Sequence, residues 1–295
     1  MRGDELINLA TRSPVLSDGA MGTMLQARGL APGACPELWN VEQPDLVREV
    51  HAAYIDAGSC MISTNTFGGS RLKLESYGLA VRVRELNRAG SAIAREVAGS
   101  DHFVAGSVGP TGKFLEPLGE LAFDEAAKAF EQQCSALAEG GADVILLETF
   151  SDLEEARAAV TGALRSGLPV FCTMAFDTGG RTMMGVDPRS AALRLTELGA
   201  FGVGANCGVG PRETLDIVRQ IRAATEGIVI AQPNAGLPRV VEGRTVYDST
   251  PEEMAKYAVE FANLGVNVIG GCCGSTPDHI RAMGAALRGA TQRAV

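Results

Sequence analysis

Histidine is scarce in this chain, with three in 295 residues, and no basic run reaches five residues. So little histidine leaves poor material for the His-rich ligand sets of zinc hydrolases. The lack of basic runs, with a formal net charge of −9, argues against nucleic acid or an anionic membrane as the main partner. No stretch approaches the roughly 18 consecutive apolar residues of a membrane span. The opening Met1-Arg2-Gly3-Asp4-Glu5 lacks the basic-then-apolar layout of a signal peptide. Pro/Ser-rich linkers, low-complexity tracts and sequence repeats are also missing. Seven cysteines are too few for a disulfide scaffold in a chain this long, and the odd number leaves at least one unpaired. A reducing, cytoplasmic setting is the expectation.

What the chain does have is apolar material, 46% of residues against 21% charged. Short β-rich runs ending in Gly, Asn or Cys alternate with helical periodicity. The predicted strands are Pro14–Asp18, Cys60–Thr66, Phe103–Val108, Val144–Thr149, Val170–Phe176, Gly202–Asn206, Ile228–Pro233 and Val266–Gly270. Between them, Phe123, Ala127, Phe130, Cys134 and Leu137 illustrate the three-or-four spacing of a helix face. Helix starts are marked by Ser151 with Glu154 as a capping box, by Thr250-Pro251-Glu252-Glu253, and by Thr276-Pro277-Asp278. Eight βα units without a linker predict one α/β domain over 1–295, a single (β/α)₈ TIM barrel. An open doubly wound sheet is the alternative. Residues 19–42 and 235–248 are longer than ordinary connections and are expected to be functional.

On that scaffold the unusual polar residues gather at the C-terminal ends of strands, where barrel enzymes assemble their sites. Asp18, Asn65, Glu148, Asn206 and Asn234 lie there, and so do Cys207, Cys272 and Cys273. Adjacent side chains of a strand point to opposite faces. The paired thiols of Gly270-Gly271-Cys272-Cys273-Gly274 therefore need glycine to bend the backbone if both are to reach one point. Two buried small hydrophobes or a vicinal disulfide are the plainer explanations of that pair. A third thiol, Cys207, sits one strand removed in a barrel, and three sulfurs over the mouth suit zinc. Three protein ligands leave a fourth position for substrate. Zinc with three thiolates is a poor activator of water but keeps a bound sulfur nucleophilic, so sulfur alkylation fits better than hydrolysis. His279 could close the fourth position, although it is better placed in the first turns of the last helix. His51 and His102 read as structural or exposed, Cys60, Cys134 and Cys172 as core, and Cys35 stays unassigned.

Asp18 and Glu148 face the same mouth and could serve as acid and base, or clamp a substrate ammonium group. The segment Gly19-Ala20-Met21-Gly22-Thr23 offers backbone N–H groups to an anion. Together these describe an amino-acid site: anion on amides, ammonium on carboxylates, side-chain sulfur on zinc. Two other glycine-rich stretches carry no nucleotide reading. Ser107 stands where a P-loop needs glycine, with Phe114 after Lys113, and Cys207 replaces the third glycine of a dinucleotide fingerprint.

The segments Asp18-Gly19-Ala20-Met21-Gly22-Thr23, Thr64-Asn65-Thr66-Phe67-Gly68, Leu147-Glu148-Thr149-Phe150, Gly204-Ala205-Asn206-Cys207-Gly208, Pro233-Asn234-Ala235-Gly236 and Gly270-Gly271-Cys272-Cys273-Gly274 resemble the homocysteine S-methyltransferase family, in order over nearly the whole chain. The resemblance implies a zinc barrel that presents homocysteine thiolate to a methyl donor and yields methionine. Cys207, Cys272 and Cys273 would bind zinc, Asp18 and Glu148 the ammonium group, and amides around Gly19 and Ala20 the carboxylate. Asn65, Asn206 and Asn234 complete the candidate substrate contacts. Arg71-Leu72-Lys73-Leu74 and Gly185-Val186-Asp187-Pro188 point within the family to the homocysteine-binding module of cobalamin-dependent methionine synthase. That enzyme continues into further domains. The expectation is therefore a free-standing transferase served by methylcobalamin on a separate corrinoid protein, or a piece of a longer chain. A small donor used directly (S-methylmethionine, betaine or another sulfonium) is the alternative, and a zinc or thiol sensor without catalysis is a remote one.

Overall fold

The structure, a computed structural model, describes residues 2–241 and 244–293. The two ends of the 1–295 reading and the centre of the 235–248 loop lie outside the described residues. Eight parallel strands form the core: β1 (Val15–Leu16), β2 (Met61–Ser63), β3 (Phe103–Val108), β4 (Val144–Phe150), β5 (Val170–Met174), β6 (Gly202–Asn206), β7 (Ile228–Gln232) and β10 (Val268–Ile269). They pair in the order β1-β10-β7-β6-β5-β4-β3-β2. A parallel bridge between Ser17 and Met61, with the Cys60 amide donating to the Leu16 carbonyl at 2.8 Å, joins the two ends. That closure makes a (β/α)₈ barrel and removes the open-sheet alternative.

The strands are almost continuously apolar because both faces are covered. Inside the barrel, Val15, Met61, Phe103, Val144, Leu146, Phe171, Ile228, Ile230 and Val268 form one cluster. Leu6 and Ala10 of the helix Arg2–Ala10 join it, so this helix packs on the N-terminal end of the barrel. Strand β6 gives glycine instead: a Cβ on Gly204 would stand 2.1 Å from the Ile230 carbonyl oxygen, so the backbones meet there. A larger cluster between strands and helices contains Cys134 and Cys172, both fully buried as expected. Cys60 precedes β2 and is only partly buried, although it packs on the interior cluster.

Two long connections have structure of their own. Residues 19–42 hold short helical turns, including Gly22–Ala27 and Trp39–Glu42. The stretch after β7 carries a hairpin, β8 (Arg239–Val241) with β9 (Arg244–Val246). The cap of helix Leu153–Ala163 is Asp152, whose carboxylate accepts from the Glu154 amide at 2.9 Å. Ser151 is therefore not the cap, since an aspartate one residue later reaches the amide first. Thr250 caps Pro251–Asn263 as read, accepting from the Glu253 amide at 3.3 Å.

Candidate functional site

Cys207 directly follows β6 with a left-handed backbone (φ 57°), uncommon for a residue with a side chain and a sign that its surroundings fix it. Its amide donates to the Gln232 carbonyl at 3.1 Å, and its own carbonyl accepts from the Val209 amide at 2.7 Å. Beyond β10 the chain leaves the ladder. The Gly271 amide donates to the Asp18 carbonyl at 2.9 Å, and a Cβ at Gly271 would lie 2.4 Å from Ser275 Oγ. Cys272 and Cys273 are then pinned to the β7 loop through the Pro233 carbonyl and the Ala235 amide, at 2.7 and 3.0 Å. This double tether turns neighbouring thiols to one side.

The sulfurs of Cys207, Cys272 and Cys273 all lie within 4.8 Å of one another, with Cys207 and Cys273 3.9 Å apart. Tetrahedral zinc with Zn–S bonds near 2.3 Å separates its sulfurs by roughly 3.8 Å, so the donor set fits the ion in type and spacing. Hydrogen bonds from Cys207 and then Cys272 hold the Cys273 thiol down at about 3. The same contacts push Cys272 up. His279 is not available to such an ion: its Nδ1 meets Thr276 Oγ1 at 2.9 Å and its Nε2 meets the Ser249 carbonyl at 2.9 Å. His51 is fully buried with neither ring nitrogen bonded, and His102 lies just past helix Val83–Ala98 with Nδ1 3.3 Å from the Ala98 carbonyl.

Beside the sulfurs, strand ends supply polar side chains in two chains of hydrogen bonds. In the first, Gln232 Nε2 donates to Ser17 Oγ (3.1 Å), which donates to Asp18 Oδ1 (3.2 Å). Asp18 also accepts from the Ser63 amide at 2.7 Å and its hydroxyl at 3.1 Å. In the second, Ser107 Oγ donates to Glu148 Oε1, and Asn206 Nδ2 donates to Glu148 Oε2 at 3.3 Å. Asn206 Oδ1 accepts from the Thr149 amide and Thr173 Oγ1, both at 2.7 Å, while its Nδ2 also reaches Cys272 Sγ at 3.9 Å. Burial pushes Asp18 up to about 7 against the pull of the Ser63 and Ser17 hydrogen bonds. Burial likewise raises Glu148 to about 7, with the Asp18 charge adding to it and Ser107 opposing. Among the described residues no cation stands by either carboxylate. A cationic ligand would satisfy both.

Sulfurs and carboxylates open on one cavity of about 560 Å³. Gly19, Ala20 and Asn65 line it, but Asn206 and Asn234 do not. Asn206 acts behind Glu148, whereas Asn234 is buried with its Oδ1 unpaired. Asn65 turns to the 31–42 loop, donating to the Pro36 carbonyl at 2.8 Å and to Asn40 Oδ1 at 3.0 Å. The Ala20 amide is taken by Ser275 Oγ at 3.2 Å. The next cap, Met21 before helix Gly22–Ala27, has no side-chain acceptor for the first helical amides. Glu37 ties this loop to the segment after β2, accepting from the Gly68 amide at 2.6 Å and from Cys35 Sγ at 3.1 Å. That places Cys35, whose thiol burial pushes up to about 12. Sequence reading gave no role to Ser17, Ser63, Ser107 or Gln232, which look like ordinary strand residues; only the register of Gln232 with Asn206 on the neighbouring strand marks one of them as sharing that residue's face.

The family model described as "Homocysteine S-methyltransferase" matches residues 15–287. Methionine synthase of Mycobacterium tuberculosis is 36% identical over 304 aligned positions, covering 96% of this chain and 25% of that protein. The chain thus spans about a quarter of the length of such relatives. Among solved structures, the homocysteine methyltransferase MmuM from Escherichia coli in its oxidized form superposes with a TM-score of 0.76 at 24% identity, over 92% of this chain and 95% of that one. Its metallated form gives 0.72 at 25% identity, over 92% and 96%.

Proposed function

This chain belongs to the homocysteine S-methyltransferase family, and from that premise we propose that it transfers a methyl group to the thiol of L-homocysteine, giving methionine. The observation that carries the reading is the meeting of three sulfurs and two carboxylates without a cation partner on one cavity. Cys207, Cys272 and Cys273 would hold zinc, which lowers the pKa of an incoming thiol while leaving the site anionic overall and the sulfur nucleophilic. Asp18 and Glu148 take the ammonium group, each held in place by a serine, and Asn206 steadies Glu148 from behind. The amide of Gly19 and those after Ala20, whose own amide Ser275 takes, would face the carboxylate. Anchored at both ends, the amino acid has its sulfur fixed for in-line attack, so positioning supplies much of the rate.

The donor reading is methylcobalamin on a separate protein or domain. It is supported by the likeness to methionine synthase and by exposed apolar residues on the loops around the mouth. Phe114 is 50% exposed, Leu118 67%, Met183 71% and Val240 77%, apolar surface of the kind partners cover. A small sulfonium or betaine donor is the second reading, favoured by a cavity roomier than homocysteine alone needs. The test is methionine formation by zinc-loaded protein from homocysteine with methylcobalamin, S-methylmethionine or betaine. Turnover with methylcobalamin is expected. Turnover with a small donor alone would select the second reading, and homocysteine binding with no turnover on any donor would leave a thiol sensor.

A further inference from the structure

Among the described residues lining the cavity, one buried side-chain oxygen has no hydrogen-bond donor: Oε1 of Gln232. The other unpaired buried oxygens, on Asn87, Gln133 and Asn234, belong to residues outside the lining. Gln232 ends β7, is 4% exposed, and commits its Nε2 to Ser17 Oγ. It is in register with Asn206 on β6, so the two side chains leave the sheet on the same face. Through Ser17 it is linked to Asp18, and its register partner Asn206 is bonded to Glu148. Gln232 therefore belongs to the same polar layer as both carboxylates.

An ammonium group carries three N–H donors. Asp18 and Glu148 can accept two, and a buried amide oxygen without a donor is costly unless something else supplies one. A third carboxylate there would add repulsion to two acids and three thiols, whereas a neutral amide adds an acceptor without charge. We propose that Gln232 is the third acceptor of the substrate ammonium group, a specificity-determining residue that makes the cavity select amino thiols over thiols lacking the amino group. The proposal rests on reading the cavity as a homocysteine site.

The test uses zinc-loaded protein and calorimetric binding of two ligands. L-Homocysteine and 4-mercaptobutanoate share the thiol and carboxylate and differ by the amino group. Gln232→Met removes the acceptor at similar size and should weaken homocysteine binding about tenfold or more, the range of a hydrogen bond to a charged group. Binding of 4-mercaptobutanoate should stay within about twofold of the parent by the same reasoning. Gln232→Glu keeps an acceptor and should retain the preference for homocysteine. Because the readout is a ratio of two ligands on one variant, loss of stability affects both alike. Equal weakening of both ligands in Gln232→Met, or an unchanged preference, overturns the proposal. A parent protein that does not distinguish the two ligands overturns the homocysteine reading instead.

Discussion

Asp18 and Glu148 are buried acids held at about 7, with hydrogen-bond donors but no cation among the described residues. Their cost to the fold and the binding role proposed for them have one cause. For Glu148 the sign runs from its raised pKa: folding favours the protonated form. That contribution is present below the ordinary carboxylate range and is lost as pH rises through about 7. Above that pH the protein carries an ionised carboxylate waiting for a positive group. Glu148→Gln should therefore gain stability over the parent between pH 5 and pH 8, by roughly 1–2 kcal/mol, while homocysteine affinity falls. Denaturant titrations at the two pH values check this, and a stability difference independent of pH would contradict it. The residues that hold these acids were not legible in the sequence. Serine at 17, 63 and 107 is indistinguishable from a strand serine until the barrel closes and brings β1, β2, β3 and β4 side by side.

The elements were more legible, because parallel strands buried on both faces read as apolar runs. Phe103–Val108 and Gly202–Asn206 agree residue for residue with their predicted spans. Two neighbouring strands are much shorter than read: β1 keeps only Val15–Leu16 and β10 only Val268–Ile269. In both places the chain leaves the ladder early to set Asp18 and the paired cysteines, so function trims the strand. The hairpin β8–β9 had no sequence signal beyond its length. It brings Tyr247 against Gly274, whose added Cβ would meet the tyrosine ring at 2.2 Å, beside Cys273. Helix Pro251–Asn263 follows that loop and begins at Thr250, the start read from Thr-Pro-Glu-Glu. Thr250→Ala removes the oxygen that accepts from the Glu253 amide and should cost about 1 kcal/mol, seen as a lower denaturation midpoint with unchanged slope. No loss would mean that the cap is not needed to start the helix.

At the scale of the molecule, the strand order β10-β7-β6 brings two distant sequence segments to one mouth, and the metal reading depends on that order. Cys207 and the Cys272-Cys273 pair have no ligand spacing of their own. Only the one-strand separation of β6 from β10 makes them a set. The candidate metal-binding cysteines and the two acids could be picked from the sequence because each breaks the apolar run at a strand end. Asn234 and Asn65 looked equivalent there, yet the first is buried off the cavity and the second serves the 31–42 loop. No helix among the described residues is long and apolar enough to cross a membrane. The central claim is an open, thiol-binding zinc on three cysteines, and zinc-edge X-ray absorption tests it most directly, on protein with and without L-homocysteine. The account expects three sulfurs and one light ligand around zinc in the free protein, becoming four sulfurs when homocysteine is added. A zinc shell unchanged by homocysteine would contradict it.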